Sequence, residues 1–310
     1  MFRFTPTRLP ENPIVHPGLD PCIGTNINGP SAIRVPDWVP NPLGRYYLYF
    51  ADHRGDHIRL AYADAVTGPW RCHRPGVLWL AQSGFPTDAT LLCPPEAERA
   101  DVASGELRPH IASPDVHVDH ANQRIVMYFH GLEPDCTQTT RRVVSRDGLT
   151  FGTARPTGTT SYTRVFHWQG ATYAYAMPDL IAHSRDGGHS FATVAQLGDT
   201  RIRHGALFDW QGHLFLTFTR IGDCPERILI AEIDPNPRWK LGPTRELLRP
   251  ETPWEGAECP LHPSRVGHID TPAHQLRDPY VLSDNGALWL FYACAGEAGL
   301  GLARLDVTPA

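Results

Sequence analysis

No run of lysine or arginine interrupts this 310-residue sequence, no stretch reaches the roughly 18 consecutive apolar residues of a membrane-spanning helix, and no two cysteines form a C-x-x-C pair. Each absence excludes something. Without a basic patch, and with a net charge of −5, the chain has no electrostatic footprint for nucleic acid or an anionic membrane. A neutral or weakly charged small partner is expected instead. The opening MFRFTPTRLPENP lacks the apolar core of a signal peptide, so a cytoplasmic location is expected. Seven scattered cysteines, an odd number, argue against a disulfide framework and against a structural zinc site. They read as ordinary buried or half-buried thiols.

A long amphipathic helix is also missing. What is present is a period of two: YYLYFA (46–51), IRLAYA (58–63), DVHVD (115–119), RIVMYF (124–129), ATYAYA (171–176), HLFLTF (213–218), RILIAEI (227–233) and ALWLFYA (287–293) alternate or run apolar between Gly, Pro, Asp and Asn turns. Glycine (27) and proline (30) together stay under a fifth of the chain, below the share that marks low complexity, and 41% hydrophobic residues suffice for a sizeable core. The fold class is all-β.

One phrase recurs five times: residues 28–53, 112–131, 161–177, 203–220 and 277–294 each give a polar or Gly/Pro start, an apolar strand, a turn, and a second strand rich in Tyr and Phe. Alternating strands alone also describe a sandwich or jelly roll. Sandwich strands do not repeat as three- or four-strand units, however, and radial repetition of such units is how a propeller hides its strand edges. The sequence therefore predicts a single five-bladed β-propeller domain over 1–310, with blades starting near 28, 112, 161, 203 and 277. Long insertions at 71–110 and 235–276 are expected as loops over one face, and an N-terminal strand, FRFTP or NPIVH, is expected to close the last blade.

In a propeller the first strand of each blade lines the central channel, so the strand starts converge. They read Asn28-Gly29-Pro30, Ser113-Pro114-Asp115, Tyr162-Thr163-Arg164, Arg203-His204-Gly205 and Arg277-Asp278-Pro279. Such a ring is too polar for packing alone, because buried charges must be paired or used. Asp52 with His53 ends the second strand of blade one where His130 ends that of blade two, which puts them at the same rim. His57, His110 and His117 are further rim histidines among sixteen in the chain.

The ring, the phrase IASPDVHVD and the phrase RDPYVLSDNGALWLFY resemble the five-bladed glycoside hydrolases, the superfamily of family 43 arabinanases and xylosidases, family 32 fructosidases and family 117 anhydrogalactosidases. The resemblance covers nearly the whole chain as architecture. It implies an aspartate base opening blade one, an aspartate tuning pKa in blade three, and a glutamate acid opening blade four. This sequence departs at all three, offering Asn28-Gly29, Tyr162 and His204. The anhydrogalactosidase-like relatives use a histidine acid, so the resemblance assigns His204 as proton donor, with Asp115 and Asp278 as the available carboxylates.

Glycoside hydrolysis needs one group to protonate the leaving oxygen and another to activate water or attack. The catalytic candidates are therefore Asp115, His204, Asp278 and Glu255, the last placed beside Trp254 in the blade-four insertion, where an aromatic would stack on a sugar. Substrate-binding candidates are Asn28, Asp52, His53, His117, His130, Tyr162, Arg164, Arg203, Arg220, Trp254, Arg277 and Glu297, the last read as fixing Arg277 by a charge-assisted hydrogen bond. Glu258-Cys259-Pro260 matches the letters of a fructosidase acid motif but falls too late in the chain, and is read as coincidence. The resulting reading is a glycosidase of carbohydrate metabolism that acts on a small oligosaccharide or glycoside and requires no cofactor. Two alternatives stay open: a sugar-acid lyase or isomerase with a divalent metal on the histidine rim, since imidazole suits such ions, and a sugar-binding propeller without catalysis.

Overall fold

The computed structural model describes residues 2–236 and 238–309. Five antiparallel sheets form a five-bladed β-propeller. Strand β1 (Phe2–Arg8) is set aside by the chain and used last. Blade one is β2 (Asn28–Arg34), β3 (Tyr46–Ala51), β4 (His57–Ala63) and β5 (Arg71–Trp79), and blade two is β6 (Ile111–Asp119), β7 (Arg124–Leu132), β8 (Gln138–Ser145) and β9 (Arg155–Thr160). Blade three is β10 (Arg164–Trp168), β11 (Ala171–Ala176), β12 (Leu180–Ser184) and β13 (Ala192–Gln196). Blade four is β14 (Ile202–Trp210), β15 (His213–Arg220) and β16 (Ile228–Asp234), with two short strands, β17 (Lys240–Leu241) and β18 (Arg245–Leu248), both on β16. Blade five is β19 (Arg277–Asp284), β20 (Ala287–Cys294) and β21 (Gly299–Pro309), and β1 pairs with β21 from Phe2 opposite Pro309 to Arg8 opposite Ala303. The other candidate closing segment, NPIVH, lies beside β21 through a bridge from Val15 to Leu300.

The local chemistry explains the hairpins. Gln169-Gly170, Gln211-Gly212 and Asn285-Gly286 join first and second strands in blades three to five, and both residues of each pair have positive φ. That is the two-residue turn whose twist matches the flanking strands, and it favours Gly at the second place.

Hydrophobic contact is made between blades rather than inside one layer. Tyr47, Tyr49 and Leu60 pack on Ile111, Val116 and Met127 across blades one and two, and Val126 and Tyr128 pack on Val165 and Ala174 across two and three. Tyr175 meets Leu216 and Phe218, Phe215 meets Leu290 and Tyr292, and Phe50 meets Phe291 and Leu300 at the remaining interfaces. The fifth interface joins blade five back to blade one, so no face of the ring is left open.

The insertions are shorter than the sequence suggests. Their first parts are the outer strands of blades one and four, β5 and β17 with β18. These edge strands carry few buried side chains, as in Arg71-Cys72-His73-Arg74-Pro75, so the alternation that marks a strand is missing from them. The remaining segment of the first insertion holds two short helices, α1 (Leu80–Ser83) and α2 (Arg99–Ser104). Among the described residues, no helix is long and apolar enough to cross a membrane.

Candidate active site

One residue in each blade, at the start of its innermost strand, has a left-handed backbone: Gly29 (φ 61°), Ser113 (51°), Tyr162 (58°), His204 (48°) and Asp278 (52°). In four blades the strand pairing skips at this point, between Asn28 and Ser31, Ala112 and Asp115, Arg203 and Ala206, and Arg277 and Tyr280. Each skip is a bulge that re-aims one side chain. Proline follows Gly29, Ser113 and Asp278, and a following proline disfavours the right-handed helical conformation. Four non-glycine residues in this conformation, one of them a tyrosine, are costly at about 1–3 kcal/mol each, a strain that concentrates at functional sites.

Glycine at 29 has a second cause. A Cβ there would stand 2.9 Å from the Ser113 Cα, and its amide donates to Asp278 Oδ2 at 3.1 Å. Blade one therefore presents backbone to the axis where the resemblance implies an acidic side chain. Asn28, one residue earlier, donates through Nδ2 to Asn26 Oδ1 (2.9 Å) and Glu297 Oε2 (3.2 Å).

The strained residues of blades four and five meet. His204 Nδ1 is in ion-pair contact with Asp278 Oδ1, both residues are buried, and no hydrogen bond to His204 Nε2 is made among the described residues. The Tyr162 ring stacks on the imidazole with centroids 4.0 Å apart. Burial pushes the His204 imidazole below its ordinary value of 6.5, and Asp278 opposes this only in part. For Asp278, burial acts upward, but the His204 charge and the Gly29 amide outweigh it and hold the carboxyl well below the usual range.

An ionic frame surrounds the pair. Arg277 Nη1 donates to Glu297 Oε1 at 2.8 Å, and its Nε and Nη2 donate to Gln275 Oε1. Glu226 Oε2 lies 3.7 Å from both Arg203 and Arg277 and accepts no hydrogen bond, while Glu226 Oε1 accepts from Thr219. His53 Nδ1 stands 3.4 Å from Glu297 Oε1. Burial raises the Glu297 carboxyl, but His53 and then Arg277 reverse this and hold it at about 2.

His110, His130 and Tyr162 continue the row of rings toward His204, at centroid distances of 5.7 and 6.4 Å. His110 Nδ1 bonds the Arg108 carbonyl, leaving its Nε2 unpartnered, as is His130 Nδ1. Burial pushes His110 down to about 4 and His130 well below 6.5, so both imidazoles are uncharged at neutral pH. Below Tyr162, the Arg164 guanidinium lies 5.2 Å from its ring and 5.4 Å from that of Tyr280, and donates to the Pro114 and Pro30 carbonyls. Arg164 thus floors the site by joining blades one, two, three and five.

The blade-four insertion caps the other end. Arg203 donates to the Arg265 carbonyl, Arg277 to that of Gly267 (3.2 Å) and Asn26 to that of Ile269 (3.1 Å). A cavity of about 670 Å³ opens between this strap and Arg277, with Arg265, His268 and Gln275 in its wall.

Several residues singled out in the sequence lie away from the His204–Asp278 pair or are held by other partners. Asp115 lies in the channel wall but not at the dyad: its carboxylate is taken by His117 Nε2 (2.7 Å), the Val165 amide (2.7 Å) and Arg164 (3.4 Å). His117 sits four residues beyond Ser113, about 13 Å along an extended strand, and so leaves the rim. Glu255 is fully buried beside the closing strand, where it accepts from Arg8 Nε, Tyr292 Oη and the Glu251 amide, and Trp254 packs near Tyr292. Arg220 is held by Asp199 and Thr244, and Asp52 by Arg59. His57 stacks on Trp79 at the edge of blade one. Conversely, Asn26, Glu226 and Gln275 belong to the site and were not singled out by the repeat. They precede the strands whose pattern is legible, as single polar residues among ordinary loop residues. Among the described residues, no group of three or more His, Cys, Asp or Glu is arranged to hold a metal ion.

The five closed sheets give the architecture of the family 43 five-bladed propeller glycoside hydrolases. Similar solved structures include CoXyl43, a β-xylosidase/α-arabinofuranosidase from a compost microbial metagenome in complex with xylotriose (14% identity, 98% of this chain and 94% of that one, TM-score 0.59). The RS223 β-xylosidase (12%, 98% of each chain, TM-score 0.60) and a family 43 enzyme of Xanthomonas citri complexed with xylotriose (14%, 91% and 87%, TM-score 0.58) are further examples. At these identities the likeness is one of fold. No family model matches the sequence. The chain belongs to the same protein family as the uncharacterized protein R118 of Acanthamoeba polyphaga mimivirus, with which it is 34% identical over 332 aligned positions, covering 96% of this chain and 89% of that protein.

Proposed function

We propose that this protein hydrolyses the glycosidic bond of a small oligosaccharide or glycoside in the axial site, with His204 as general acid and Asp278 as the carboxylate that orients it. The observation that carries this reading is the His204–Asp278 contact, made through Nδ1 by two strained residues. A carboxylate on Nδ1 fixes the tautomer and supports the cation that a general acid must be before it gives up its proton. Glu226 is proposed for the complementary role, since its Oε2 is a buried carboxylate oxygen without a hydrogen bond, 3.7 Å from both Arg203 and Arg277. His53, His110, His130 and Tyr162 then offer polar atoms to sugar hydroxyls. The test is turnover of a panel of nitrophenyl glycosides and short oligosaccharides. Xylose-based probes come first, because similar folds were solved with xylotriose.

A second reading rests on the effect of burial on His204. An uncharged imidazole held by Asp278 accepts a proton at Nε2, which suits proton abstraction by a lyase or isomerase of sugar acids. The two readings predict pH profiles of opposite sign.

A further inference from the structure

Outside the channel, the thiols of Cys22 and Cys72 stand 2.9 Å apart, sulfur to sulfur. Two non-bonded sulfur atoms normally keep a wider separation, and no other cysteine pair is in contact among the described residues. Cys22 sits in the short turn Pro21–Ile23, and its amide donates to Asp20 Oδ1 at 3.0 Å. Cys72 lies in β5, on the outer edge of blade one, opposite Ala61. A salt bridge from Arg74 to Asp20 (3.0 Å) holds the same two segments together from the solvent side. Both cysteines are half-buried, so small thiol reagents reach them, whereas Cys136 and Cys294 are buried.

We propose that Cys22 and Cys72 form a disulfide that staples the segment before β2 to the edge of blade one. Geometry and approach come from the fold, so the bond needs an oxidant and no rearrangement. With a small disulfide such as oxidised glutathione, a Cys22 thiolate attacks one sulfur of the reagent, expelling one reduced thiol and leaving a mixed disulfide. Cys72 then attacks the Cys22 sulfur and expels the second thiol. Two protein thiols lose two protons and two electrons, and one reagent disulfide becomes two thiols.

The staple bears on the axis through three residues. Ile23 is fully buried, Gly24 lies against the Arg59 guanidinium, and Arg59 Nη1 donates to the Asn26 carbonyl at 2.9 Å. Asn26 and Asn28, which hold Glu297, therefore follow directly on a segment that the disulfide would fix. Burial raises both thiols above their ordinary value, Cys72 to about 12, so the exchange is slow at neutral pH and faster in mild alkali.

The test uses the full chain, treated at pH 8.5 with oxidised or reduced glutathione, then unfolded and titrated for thiols and mapped by mass spectrometry. The expected result after oxidation is a linked peptide pair containing Cys22 and Cys72, about 2 Da lighter than its two reduced peptides together, with the other cysteines free or carrying glutathione, against seven titratable thiols after reduction. The oxidised form should also melt about 5 °C higher, because the bond closes a loop of about 50 residues in the unfolded chain. Cys22→Ser and Cys72→Ser should each abolish the linked pair and the rise in melting temperature. Seven thiols after oxidation, linkage through a different cysteine, or an unchanged linked pair in either variant would overturn the proposal.

Discussion

His204 and Asp278 occupy the same structural position in neighbouring blades, each the single left-handed residue at the start of its inner strand, and their side chains meet at the axis. Repetition of one backbone device thus brings two residues 74 positions apart into contact. If Asp278 supports the cationic imidazole, Asp278→Asn removes that support while keeping the size of the side chain. Steady-state kinetics should show kcat falling by about 10²–10⁴, with substrate affinity retained by calorimetry. Unchanged kcat would show that the pair is only a bridge between blades.

The pH dependence of kcat/KM separates the two functional readings. A general acid works while protonated, so activity is full below the His204 pKa and is lost as pH rises through it. Burial puts that limb below about 6.5. A neutral His204 acting as base gives the reverse, activity lost as pH falls through the same range. In Asp278→Asn the limb should move further down, since the charge that favours the imidazolium is gone.

Asp115 should prove structural. Its carboxylate and the Arg164 guanidinium are both buried and 3.4 Å apart. Asp115→Asn would leave that guanidinium without its charge partner, and breaking one side of a buried pair costs about 3–5 kcal/mol. Urea unfolding should report a loss of this size, with activity per folded molecule kept. Lost activity at unchanged stability would return Asp115 to catalysis.

The buried imidazoles make the fold acid-sensitive. His110 titrates near 4 in the folded chain, against 6.5 when unfolded. The sign follows: its contribution is present above 6.5 and is lost as pH falls toward 4, on the order of 3 kcal/mol. Urea midpoints measured at pH 7.5, 6 and 5 should fall steadily, and His110→Gln should flatten the decline.

Legibility in the sequence followed the period. Wherever alternating residues met a turn pair such as Asn285-Gly286, the strands and blade count could be read, and the strand starts named the ring that contains His204, Asp278, Tyr162, Arg203 and Arg277. Roles were harder to read, because a sequence does not say which partner takes a carboxylate. Asp115 looks like Asp278 on paper, each just ahead of an apolar strand, yet it lies two residues past the left-handed position and points into a salt bridge. Glu255 beside Trp254 suggests a sugar platform, but the turn that carries them folds onto Arg8. Glu226 and Asn26 gave no signal, since neither lies in a repeated phrase. The Cys22–Cys72 contact was invisible for a similar reason: spacing along the chain carries no information about two segments joined by an edge strand.

The central claim is tested most directly by assaying the wild-type chain and His204→Gln side by side on the glycoside panel, over a pH series that extends well below 6.5 because burial lowers the His204 imidazole. The account predicts turnover of at least one glycoside by the wild type and a loss of about 10²–10⁴ in the variant, with substrate still bound. Near-full activity in His204→Gln, or no turnover of any glycoside by the folded wild type, would contradict it.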